Sequence, residues 1–162
     1  MADVAVNIDE ARQAAGREIL ALTDRVGFDA YAAGWLYDRP TDTWRYVLVT
    51  PMLSTKGPAW VYERLMRLFR SNPLPPGVSL LDIHVIDPEM ETALFGPPAL
   101  AFDDREPVPG INVMLSQHLQ FDNFLIEDGF VAFHRRLPDQ LRQGRRDPGP
   151  RFNRRVSELQ AA

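Results

Sequence analysis

Two neighbouring runs of β-forming residues with apolar groups on both faces limit this chain more than anything else in it. In AAGWLYDRPTDTWRYVLVTP, residues 32–51, segments at about 31–37 and 44–50 flank the turn-forming DRPTDT. If Tyr37 faces Trp44, then Trp35 faces Tyr46 and Ala33 faces Leu48, and all six lie on one side because strand side chains alternate. Leu36, Arg45, Val47 and Val49 occupy the other side. A hairpin that is apolar on both faces belongs inside a layered structure or against a second chain.

The flanking patterns supply such layers. Ile8, Ala11, Ala15, Ile19, Leu22 and Val26 recur at helical spacing, with Asn7 as the expected N-cap, Glu10 completing a capping box and Gly27 as the stop. Val61, Leu65, Leu68 and Phe69 form the inward stripe of a second helix, flanked by Tyr62 and Met66, with Glu63 and Arg67 spaced for an ion pair. SNPLPPG ends it, because proline cannot continue a helix. VSLLDIHVID reads as a buried strand, after which Asp87 and Pro88 open a short helix to about Phe95.

The proline-rich 96–110 segment reads as an arm or lid. INVMLSQHLQF alternates like a strand, and NFLIEDGFVAFHR carries Asp-Gly between two apolar runs, a hairpin signal. In that register Phe124, Ile126, Val131 and Phe133 share a face. The expected fold is α+β: a two-layer sandwich, with a mostly antiparallel sheet of five or six strands and two main helices on one face. Residues 1–137 form one domain in this reading. Residues 138–162 form an arginine-rich tail, docked on the surface or partly disordered, with a short helix near 151–160.

Charge is divided along the chain. Residues 1–130 carry 19 acids and 10 bases, whereas 131–162 carry 3 acids and 8 arginines, within a net charge of −4. There is no cysteine, which removes disulfides, iron–sulfur clusters and thiolate zinc sites. No apolar run approaches a membrane span, and a cytoplasmic protein without membrane contact is expected.

Five groups of residues invite a chemical reading. Ser54, Thr55 and the only lysine, Lys56, precede Gly-Pro at the expected start of the second helix, where a helix dipole favours an anion; the segment lacks the glycines of a phosphate loop, so helix initiation is the simpler role. Trp35, Tyr37, Trp44 and Tyr46 suit burial under a helix or a homodimer interface better than base stacking, since the hairpin pairs Arg39 and Arg45 with Asp38 and Asp42. Asp82 and His84, two apart on one expected strand, with His118 nearby on a later one, are candidates for an acid–base pair or metal ligation, although no nucleophile or third ligand is identifiable. Asp103, Asp104 and Glu106 read as a solvated charge cluster. Arg142, Arg145, Arg146, Arg151, Arg154 and Arg155 form the candidate nucleic-acid surface, against a simpler role in offsetting the acidic body or clasping a neighbouring subunit.

No cofactor-binding or metal pattern is present in the sequence, and whether the chain is an enzyme is left open. The expectation is a small non-catalytic interaction or accessory module that forms a homodimer. The alternatives are a nucleic-acid-binding protein acting through its tail and a small hydrolase-like enzyme with a pocket beneath the 96–110 arm.

Overall fold

The structure is a computed structural model that describes residues 9–38, 41–90, 113–115, 119–121, 124–126, 129–135 and 147–161. Helix α1 spans Glu10–Arg25. Its N-cap is Asp9 rather than the expected Asn7, which lies outside the described residues: the Asp9 carboxylate accepts the Arg12 N–H at 2.6 Å and pairs with the Arg12 guanidinium at 2.8 Å. Ala15, Ile19, Leu22 and Val26 face the core as the spacing requires, whereas Ala11 is exposed. Gly27 ends this segment at φ +77°, a conformation that glycine adopts without strain.

Strands β1 (Ala32–Asp38) and β2 (Thr43–Val49) pair antiparallel in the expected register, with Tyr37 opposite Trp44, Trp35 opposite Tyr46 and Ala33 opposite Leu48. The next helical region is divided. Helix α2 (Met52–Lys56) ends at Gly57, whose φ of +88° redirects the chain, and α3 (Pro58–Ser71) starts on a proline at its first turn. Lys56 therefore closes a short helix and, as expected, also stands immediately before the start of the long one.

The stretch read as a single buried strand is also divided. A 3-10 turn at Leu80–Asp82 precedes β3 (Ile83–Ile86), which joins β2 in parallel, as a strand–helix–strand crossover demands. The free edge of β3 is blunted: the Val85 N–H, directed away from the ladder, is taken at 2.9 Å by the Tyr62 hydroxyl of α3.

The packed sheet thus has three strands, in the order β3-β2-β1. Backbone pairing continues from β1 to β7 (Gly129–Arg135) and on to β4 (Val113–Leu115), while β5 (Leu119–Phe121) and β6 (Phe124–Ile126) form a ribbon of their own. The expected sandwich on a single, mostly antiparallel layer of five or six strands is corrected accordingly. The core is laid on a three-stranded sheet with a parallel member. Beside the two main helices expected, α1 and α3, the described residues include α2, the 3-10 turn and a further helix at Gly149–Ala161 that joins the core.

Two local readings change as well. INVMLSQHLQF supplies two short strands in different sheets, and β6 pairs with β5 rather than folding back on β7 across Asp-Gly. The sequence-local turn signal is overridden here: β7 is paired on both sides, over six residues with β1 and over three with β4.

Helix α4 (Gly149–Ala161) lies within the region read as a tail. It is not a surface appendage: Phe152 and Val156 are buried in the same core as α1, α3 and the sheet. The Phe152 ring meets Phe28 edge-on at 5.2 Å and Trp60 at 6.2 Å. Arg64 of α3 stacks on Trp60 at 3.8 Å and donates to the Asn153 side chain at 2.7 Å, tying α3 to α4.

Helices α1, α3 and α4 all contribute to the cluster that covers one face of the sheet, made by Ala33, Trp35, Tyr46, Leu48, Ile83 and Val85. On the other face Leu36, Val47, Val49 and Ile86 are buried too. The two-sided hairpin is sheltered on both sides within a single chain.

Candidate binding groove

The described part of the chain brings its aromatic and charged side chains together at the outer end of the helix-covered face. Two strand residues fix α1 there. The Trp35 indole N–H donates to the Arg12 carbonyl at 2.8 Å, and the Tyr46 hydroxyl donates to the Gly16 carbonyl at 2.8 Å. Residues 12 and 16 are one helical turn apart, so two cross-strand neighbours read two stacked carbonyls of one helix.

Gly16 permits this approach. A Cβ at that position would lie 2.7 Å from the Trp35 Nε1 atom and 3.1 Å from a Tyr46 ring carbon. Burial, with the charge of Asp24 adding to it, pushes the Tyr46 phenol well above its ordinary range, so it remains a donor at all ordinary pH values.

Arg12 carries the packing outward. Its guanidinium lies 5.7 Å from the Trp35 ring centroid and 5.3 Å from that of Trp44, within cation–π range of both. Tyr37 packs on Trp44 with ring centroids 5.0 Å apart, and its hydroxyl donates to Asp42 Oδ1 in the hairpin turn. Asp42 sits at φ +51°, a left-handed position that Asp and Asn tolerate better than most residues.

From the far side comes Asp82. Its carboxylate accepts the Ser79 N–H at 2.7 Å and forms a capping box with Ser79 that closes the 3-10 turn. Between these groups runs a groove of about 210 Å3, lined by Arg12, Trp35, Asp42, Thr43, Trp44, Gly77 and Asp82. Its wall carries one cation and two carboxylates, beside a half-buried indole.

The expected acid–base pair is not assembled. Asp82 belongs to the 3-10 turn and faces the groove, whereas His84 lies on the opposite face of the sheet with Arg45, whose guanidinium reaches the His84 Nε2 atom at 3.0 Å. Burial and the Arg45 charge hold His84 down to about 4 against the opposing pull of Asp82, so its ring is neutral at pH 7. Among the described residues no group of three or more metal-ligating side chains converges. His118, the 96–110 arm with Asp103, Asp104 and Glu106, and Arg142, Arg145 and Arg146 lie outside the described residues.

The other candidates have structural partners. Lys56 pairs with Asp147 at 3.3 Å, Ser54 donates to Asp87 at 3.2 Å, and Thr55 donates to the Pro51 carbonyl at 3.2 Å. Asp147 in turn accepts the Gly149 N–H at 2.9 Å, and that hydrogen bond, reinforced by Lys56, keeps its carboxyl below the ordinary range. The lysine is thus a tether between α2 and the start of α4.

Of the tail arginines on α4, Arg151 pairs with Asp29 at 3.8 Å, and Arg154 and Arg155 both reach Glu158, at 3.9 and 3.8 Å. Trp35 and Tyr46, expected either under a helix or at an interface, lie under α1; Trp44 is the member of the aromatic set with substantial exposure.

Arg12 is not singled out from the sequence, and Asp42 enters only as a charge set against the hairpin arginines. The available signal was Gly16, a small residue one turn beyond Arg12 in a helix facing two large aromatics. Among the described residues no helix is long and apolar enough to cross a membrane. Comparison with protein-family models, with curated proteins and with solved structures finds no match to this chain.

Proposed function

We propose that the chain is a small non-catalytic interaction module that docks a protein partner, a second copy of itself first among them, at the groove between α1, the hairpin turn and the 3-10 turn. One observation carries the reading: a half-buried tryptophan, Trp44, stands in a polar groove next to the 3-10 turn, where Leu81 is 86% exposed. Tryptophan is among the side chains from which protein interfaces draw most of their energy, and a bare leucine beside it adds apolar surface within a polar rim. A cytoplasmic setting belongs to the same proposal.

Sedimentation velocity at about 10 and 100 µM tests the homodimer, since self-association of this kind depends on protomer concentration. The expected result is a dimer population that grows with concentration and is lost in Leu81→Asp. A single monomer boundary throughout removes self-association. The surface position of Leu81 makes the variant safe for folding, which circular dichroism checks.

A further inference from the structure

We infer that the groove is a receptor for an arginine side chain presented by the partner; this deepens the interaction-module reading and rests on it. The groove already shows which chemistry it accepts, because Arg12 lies over its two indoles and takes its own ion pair from Asp9, on the first turn of α1. Asp42 and Asp82 are left out of that pair. Tyr37 holds one oxygen of Asp42 and the Ser79 N–H holds one oxygen of Asp82. Among the described residues the second oxygen of each has no hydrogen-bond partner.

Charge and size then select the ligand. With Arg12 against Asp42 and Asp82, the lining has a net charge of −1, which one incoming cation neutralises. At about 210 Å3 the space is smaller than the roughly 300–1,000 Å3 of small-molecule pockets and fits one long side chain. A planar guanidinium meets both demands of the walls, stacking on Trp44 while its fork of N–H groups reaches carboxylates. An ammonium offers only a point charge.

The test is an NMR titration of the full chain with the blocked peptide Ac-(Arg-Gly)3-NH2, its lysine and glutamate counterparts, and the variant Asp42→Asn/Asp82→Asn. Asparagine keeps the accepting oxygens that Tyr37 and Ser79 use and suits the left-handed position at 42, so the fold is preserved. We expect saturable shifts of the Trp44 indole N–H with the arginine peptide, weaker ones with lysine and none with glutamate. The double variant should weaken arginine binding by about three- to tenfold, the scale of two exposed charge-assisted contacts. Equal binding of the glutamate peptide, unchanged affinity in the double variant, or no saturable shift would each overturn the assignment.

Sedimentation separates this inference from the broader reading. A dimer indifferent to Asp42→Asn/Asp82→Asn keeps self-association and removes the arginine receptor. Peptide binding by a strictly monomeric chain supports the receptor and removes the dimer.

Discussion

Gly16 governs the contact between the hairpin and the rest of the molecule. Its carbonyl and that of Arg12 hold Tyr46 and Trp35, and the missing Cβ leaves room for both rings. By helix propensity alone Gly16→Ala should stabilise α1 by about 1 kcal/mol, because glycine is a poor interior helix residue. The added methyl, however, would press on an indole fixed by its own hydrogen bond and on a phenol behind it. Overpacking of this kind costs about 1–3 kcal/mol and prevails. The variant should therefore lose stability in urea denaturation, the reverse of what an exposed Gly→Ala change does. Its Trp35 emission should shift as α1 is lifted from the sheet. A gain in stability would mean that the helix yields at no cost and that the two hydrogen bonds do not set its position.

At the scale of elements, what could be read from the sequence was what depends on near neighbours. The α1 stripe, the hairpin register and the α3 stripe follow from spacing alone, because each face is chosen by residues three, four or two apart. The parallel entry of β3, the separation of β5–β6 from the main ladder and the docking of α4 depend on distant segments, which local patterns do not encode. The groove was half legible: its aromatics stood out, but its charges come from α1, a turn and a 3-10 segment that meet only after folding.

Helix α4 gives the sharpest case, since its three arginines, within a segment 131–162 that holds eight, masked two apolar positions four residues apart, Phe152 and Val156. Phe152→Ala should cost about 3–5 kcal/mol, as for other fully buried aromatics. Arg154→Gln, on the exposed side and sharing Glu158 with Arg155, should change stability by less than about 0.5 kcal/mol. Thermal denaturation of the two variants side by side distinguishes a core helix from a docked tail: comparable midpoints would return α4 to the surface.

Taken as a whole, the molecule buries a second sheet face that holds an ionisable pair among aliphatic neighbours. Arg45 and His84 share that face with Leu36, Val47, Val49 and Ile86. In the unfolded chain His84 titrates near its ordinary value of about 6.5, whereas in the folded protein it is held down to about 4. Between these two values the unfolded state binds the extra proton, so stability rises with pH across the window. The contribution is complete above about 6.5 and is lost progressively as pH falls toward about 4.

Denaturation midpoints for the native chain should therefore fall on acidification within this window. In His84→Asn the fall should be shallower, because only the other titrating groups of the chain then contribute to the slope. The comparison is internal, as both chains share every other titrating group. Parallel pH profiles would show that His84 is protonated as readily in the folded state as in the unfolded one, and that the face it occupies with Arg45 admits water.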